Sequence, residues 1–256
     1  MFKYLKYLLA LIIALTVFSC AEQAERPVVE SEVIPVDSIN VPEKDTIIAE
    51  KIAKYREPLE EVMKSVIAYS EQSMERGTPE GLLNNFVADL TLKIGSRVYD
   101  PEDDKPIDFC LLNYGGLRTS IPKGAVTKSR VYELMPFENE LVVVTLTPEK
   151  TYELFKYLAS SERGMPVSGI RLGIKDEYPE VIKIRGESFD ENRNYKVLTS
   201  DYLAHGGDNM NFFLQPINYE LVGIKLRDAI IHHMENVHEQ GRKISSVLDE
   251  RIFYLH

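Results

Sequence analysis

Two stretches combine residue types and spacing that could hold a ligand: Asn113-Tyr114-Gly115-Gly116-Leu117-Arg118 and, further along, Ser200-Asp201-Tyr202-Leu203-Ala204-His205-Gly206-Gly207-Asp208. Each joins paired glycines to a charged residue, the pattern expected where backbone must approach a ligand closely. In the first, Gly115 and Gly116 set unhindered amides beside the Asn113 side chain and the Arg118 guanidinium, which suits a planar bidentate oxyanion partner such as phosphate. In the second, Gly206 and Gly207 lead to Asp208. Its acceptor-only carboxylate can take hydrogen bonds from vicinal hydroxyls such as those of a ribose, with the Tyr202 ring offering a face to a purine. Residue type alone leaves a plainer reading open. A double-glycine turn between strand and helix is commonly structural, Asp208 could be a turn former and Tyr202 a core residue.

Other reactive side chains point to no site by themselves. His232, His233 and His238 fall on a predicted helix without the i, i+4 pairing of a helical zinc site and are expected in solvent. His205, inside the second loop, is a candidate ligand contact, and His256 is the last residue. Cys110, in the apolar run Ile107–Leu112, reads as a small core residue and not as a nucleophile. There is no Gly-x-Ser-x-Gly elbow and no phosphate-binding P-loop with its lysine.

The elements that must position these loops follow from hydrophobic period. Ile47, Ile48, Ile52, Tyr55 and Leu59 recur at helical spacing, and Val62–Tyr69 reads equally as its continuation or as a strand. Thr78-Pro79-Glu80 and Thr147-Pro148-Glu149 each look like an N-cap followed by proline at the first helical position. Leu83, Phe86, Val87, Leu90 and Leu92 would form the stripe of the first of these helices, and Tyr152, Leu154, Phe155 and Leu158 belong to the second. Strands are expected over Ile107–Leu112, Leu141–Leu146, Ser168–Ile174, Val181–Ile184 and Tyr195–Thr199, with a closing strand over Val247–Tyr254. Leu226–Val237 reads as a last amphipathic helix. The order lacks strict βαβ alternation, so the expected class is α/β in the mixed, α+β sense, with mixed β-sheets layered with helices.

The front of the chain has a different character. Residues 1–19 carry Lys3 and Lys6 ahead of an apolar run, the form of a signal peptide too short to span a bilayer. Val17-Phe18-Ser19-Cys20 resembles a bacterial lipobox, which makes Cys20 a lipidation site, against the alternative of an ordinary cleaved secretory peptide. Residues 20–45 are rich in Glu, Val, Pro and Ser without period, as in a flexible tether, and the folded domain is expected over residues 46–256. With Cys20 lipidated, Cys110 has no partner, which excludes a disulfide framework. The net charge of −10 disfavours a nucleic-acid partner, so membrane contact would run through the lipid. The implied location is the bacterial cell envelope.

Taken with Leu134-Met135-Pro136-Phe137 between them, the two loops resemble the C-terminal domain of the secreted 5′-nucleotidase family. There, an N-G-G-I-R-like loop, a P-F segment and a D-F-L-A-x-G-G-D-G-like loop follow in this order, and three ordered motifs are more specific than any one. The likeness covers Ile47 to Tyr254. It implies a nucleoside or nucleotide site in which Phe137 and Tyr202 stack on the two faces of the base. Asp208 would bind ribose hydroxyls, and Asn113 and Arg118 would contact the nucleotide near ribose or phosphate, with Gly115, Gly116, Gly206 and Gly207 shaping the loops. Tyr202 stands where the family usually has Phe, and Asn209 where it has Gly. A family arginine before the first helix has no clean counterpart, Arg76 being the nearest. Hydrolysis in the family depends on two divalent metals in a separate metallophosphatase domain, whose histidine-containing motifs are not found in this sequence. The resulting expectation is a substrate-recognition domain that takes part in nucleotide catabolism with a separate metallophosphatase protein. It carries no catalytic residue, metal ligand or cofactor of its own. The alternatives are a free-standing envelope receptor for nucleosides or nucleotides and a degenerate interaction module.

Overall fold

The computed structural model describes residues 46–255, so the signal peptide, Cys20 and the tether lie outside the described residues. By internal contacts the chain divides after Lys51, and apart from the first residues of α1 the elements below belong to the second unit, Ile52–His256. The helical spacing near the start gives α1 (Thr46–Lys64), and the ambiguous run after it divides, with β1 formed by Val66–Ser70. No residue of α1 is buried, and Ile52, Tyr55, Leu59 and Val62 are exposed. Among the described residues no helix is long and apolar enough to cross a membrane.

Helix α2 (Leu82–Val98) starts later than its sequence signal suggests. Gly81 is its N-cap and makes no side-chain capping bond, and the Thr78–Pro79 peptide is cis. The Thr78 hydroxyl instead accepts from the Gly164 amide at 3.1 Å, so it is spent on another segment and cannot cap the helix. Leu83, Phe86, Val87 and Leu90 are buried as the stripe requires, and Leu92 is half-buried.

The remaining elements are β2 (Phe109–Leu111), a 3₁₀ turn at Tyr114–Gly116, β3 (Gly124–Thr127), α3 (Lys128–Leu134), β4 (Glu140–Leu146), α4 (Pro148–Ser160), β5 (Val167–Ser168), β6 (Ile170–Lys175), β7 (Tyr178–Ile184), β8 (Glu187–Ser188) and β9 (Tyr195–Ser200). After them come α5 (Asp201–Ala204), 3₁₀ turns at Gly207–Asn209 and Asn211–Phe213, β10 (Asn218–Lys225), α6 (Leu226–Glu239) and β11 (Ile252–Tyr254). The second Thr-Pro signal holds: the Thr147 hydroxyl accepts from the Lys150 amide at 3.3 Å and Pro148 opens α4. The closing strand is shorter than its apolar run, because Val247 and Leu248 are exposed. Arg251 ties that segment down instead, bonding Asp89, Asp249 and the Val167 carbonyl.

A five-stranded sheet, ordered β10-β4-β9-β2-β5, forms the middle of the molecule. Alternation along its strands supplies two cores. Cys110, Leu141, Val143 and Leu198 pack with α2 and α6 on one side. Phe109, Leu111, Val142, Val144, Val197 and Tyr195 pack on the other with α4 and the four-stranded sheet β11-β6-β7-β8. The fold is thus mixed α/β with helices layered on mixed sheets, as expected. Cys110 is fully buried, and burial pushes its thiol far above the usual range, as an inert core residue requires.

Candidate functional site

Strand direction explains why motifs distant in sequence meet. β2 and β9 are neighbours and run parallel, so the loops that follow them leave the same end of the sheet. β4 is antiparallel to β9, with Leu141 opposite Ser200, and this brings the Phe137 segment to that same end. β10 is antiparallel to β4, with Lys225 opposite Glu140, so the start of α6 arrives there too. Such a convergence at the carboxyl ends of central strands is where open α/β sheets commonly hold ligands.

The segments enclose a cavity of about 300 Å³ lined by Asn113, Gly115, Gly116, Arg118, Phe137, Tyr202 and Asp208 among the residues singled out above. Phe137 and Tyr202 are 42% and 48% exposed, which answers the plainer reading of Tyr202 as a core residue. Asp208 is held at both oxygens: the Tyr202 hydroxyl donates to Oδ1 at 2.8 Å and Asn113 Nδ2 donates to Oδ2 at 2.7 Å. The Asp208 amide in turn donates to the Tyr202 oxygen at 3.3 Å, and the Tyr157 hydroxyl donates to the Asp208 carbonyl at 3.2 Å. The bond to the Asp208 carboxylate raises the Tyr202 hydroxyl above its ordinary pKa, because losing that proton would set two anions together.

Gly206 and Gly207 do not line the cavity; they shape its rim. Gly206 adopts φ 86°, and a Cβ on Gly207 would lie 2.5 Å from the Tyr202 ring, so only glycine lets the turn fold back onto that ring. Asn209 adopts φ 60°, a left-handed conformation that asparagine tolerates well, so its place in a usual glycine position leaves the turn intact. The Arg118 guanidinium bends back to the Gly115 carbonyl at 3.4 Å, and its backbone amide is fixed on the Leu134 carbonyl at 2.9 Å. Arg76 stands beside the first loop, 4.4 Å above the Tyr114 ring and 3.3 Å from its carbonyl oxygen.

Met135, Asn139, Ser200 and Leu226 also line the cavity. Met135 lay inside the Pro-Phe motif, and Ser200 opened the second loop and caps α5 by accepting from the Leu203 amide at 3.3 Å. Asn139 and Leu226 carried no local signal, since only the sheet register brings them in. Arg227 acts one step removed: its guanidinium donates to the carbonyls of Met135 and Phe137 at 3.4 Å and pairs with Glu138, fixing the backbone that carries the Phe137 ring.

The histidines divide. His205 Nδ1 lies 2.6 Å from the Asp201 carbonyl oxygen and its ring packs on Tyr219, away from the cavity lining. His232 and His238 are exposed as expected, whereas His233 is half-buried with its ring edge on Phe86, because α6 turns that position toward α2. Burial and the neighbouring cations press its pKa down to about 4. Among the described residues no group of three or more His, Cys, Asp or Glu side chains is placed to hold a metal ion.

The match to the family model for the 5′-nucleotidase C-terminal domain runs over residues 64–215. The trifunctional nucleotide phosphoesterase protein YfkN of Bacillus subtilis is 25% identical over 248 residues, which are 86% of this chain and 16% of that protein. Protein UshA of Escherichia coli is 31% identical over 108 residues, 40% of this chain and 19% of UshA. Among solved structures, the 5′-nucleotidase precursor of Thermus thermophilus aligns with a TM-score of 0.66 at 23% identity, covering 83% of this chain and 44% of that one. NAD nucleotidase of Haemophilus influenzae aligns at 0.62 and 17% identity, over 82% and 41%. The chain spans less than half the length of each of these relatives. Extending over more than half of the chain, the family match identifies it as a member of the 5′-nucleotidase C-terminal domain family.

Proposed function

We propose that the cavity at the strand ends binds the nucleoside part of a nucleotide, and that a separate metallophosphatase chain supplies the two divalent metals for phosphate hydrolysis. The observation that carries the reading is the pairing of two exposed aromatic rings with a carboxylate already oriented by its neighbours. A base between Phe137 and Tyr202 gains stacking on both faces. Each Asp208 oxygen accepts one protein hydrogen bond and keeps acceptor capacity for a ribose hydroxyl. Asn113 and Arg118 complete the wall, with Arg118 free to turn its remaining donors to a phosphate oxygen. In this reading the domain positions the substrate and leaves bond cleavage to its partner, and a lipid on Cys20 holds it in the cell envelope near that partner.

The test is isothermal calorimetry of the purified protein with adenosine and AMP, followed by incubation of the same protein with AMP and a divalent metal. Saturable binding without phosphate release is expected. Release of phosphate by this protein alone contradicts the division of labour, and absence of binding contradicts the site.

A further inference from the structure

Far from the loops, α2 and α6 enclose another cavity of about 220 Å³ whose permanently charged lining groups are all cations. Lys93 and Arg97 enter from α2, His232, His233 and Asn236 from α6, and Arg242 from the segment after it. No carboxylate lines it, although the chain as a whole carries a net charge of −10. Among the described residues, the side chains of Lys93, Arg97, His232 and His233 make no hydrogen bond or ion pair. Each side-chain amide oxygen already accepts one bond: Arg242 donates to the Gln240 amide oxygen, and Gln240 Nε2 donates to Asn236 Oδ1 at 2.6 Å. That chain of bonds leaves the Asn236 amide hydrogens as further donors. The carbonyls at the end of α2 account for cations on its last turns, but not for their meeting Arg242 and a half-buried histidine in one cleft.

We propose that this cleft binds a phosphate-type oxyanion. A tetrahedral anion accepts from several directions at once, and charge-assisted bonds from lysine and arginine are the strong ones. It would also relieve the mutual repulsion of three permanent cations that, among the described residues, have no ion-pair partner. The charges bearing on the His233 ring are Lys93 and Arg97 from α2, His232 from its own helix and Arg242, all of one sign. A bound anion therefore lifts the His233 pKa from its depressed position, giving the site a reporter. This inference does not depend on the nucleotide reading.

The experiment follows the imidazole resonances of His232 and His233 by NMR while inorganic phosphate is added to the purified protein. A saturable shift with a rise in the His233 pKa is expected, and affinity in Lys93→Ala/Arg97→Ala falls at least about tenfold. Both residues are exposed, so this variant keeps its fold. Tyr202→Ala serves as the control and keeps the response. A response confined to inorganic phosphate assigns a free anion, and one seen with phosphatidylglycerol vesicles in its place assigns a lipid headgroup. No response to either probe, a response undiminished in the double variant, or its loss in Tyr202→Ala overturns the proposal.

Discussion

The cavity at the strand ends and the cleft between α2 and α6 handle polar groups in opposite ways. In the first, Asn113, Tyr202 and Asp208 are bonded to one another, so donor and acceptor are balanced before a ligand arrives. In the second, donors crowd together with no carboxylate among them. A balanced site costs little to keep in shape and suits a neutral sugar and base, whereas one that gathers cations gains most from a ligand of opposite charge. Internal hydrogen bonding marks the strand-end cavity, and an excess of cations marks the cleft.

The comparison breaks most readily at the rings. Phe137→Ala combined with Tyr202→Ala removes both stacking faces and should weaken AMP binding about a hundredfold in calorimetry, at roughly 1–3 kcal/mol per face. Asp208→Asn comes next, with a loss of about tenfold, because an amide turned to accept from Asn113 Nδ2 puts its NH₂ at the other position and gives up the charge and half of the acceptors offered to ribose hydroxyls. Tyr202→Phe keeps the ring and drops only the hydroxyl with its two bonds to Asp208, so a loss of about threefold is expected. Lys93→Ala/Arg97→Ala should leave AMP affinity unchanged, and any loss there would mean that the two regions are not independent.

Titration sharpens the contrast from the other side. The folded pKa of His233, near 4, lies below its unfolded value, so the folded state binds fewer protons in between. Its contribution is complete above the unfolded pKa, near 6.5, and is lost as pH falls towards 4. Thermal melts across that window should therefore show a shallower decline for His233→Gln than for the unaltered protein.

Much of this was legible in the sequence, for reasons that differ between elements. Apolar runs gave β2, β4 and the middle of β9 because a strand buried on both faces is largely apolar, although Lys196 and Thr199 are buried in β9 as well, and Thr147-Pro148 marked α4 because the Thr147 hydroxyl accepts from the Lys150 amide. Thr78-Pro79 carried the same signal and failed, since the bond from Gly164 to Thr78 is made by a segment distant in sequence. The helical period of α1 was correct, yet its stripe is not part of the core, because period reports geometry and not what lies opposite. At the site, seven of the nine residues singled out line the cavity, while Gly206 and Gly207 act through the turn. Asn139, Leu226 and Arg227 were not legible, because their roles arise from the pairing of β10 with β4 and of β4 with β9. The cationic cleft was hidden too, because Lys93 and Arg97 meet His233 and Arg242 only where α6 is set against α2.

A crystal structure of the protein with adenosine bound decides whether the strand-end cavity holds a nucleoside. The base should lie between the Phe137 and Tyr202 rings, with ribose hydroxyls on the Asp208 carboxylate. Adenosine bound elsewhere, or a ribose that leaves Asp208 untouched, would contradict that arrangement.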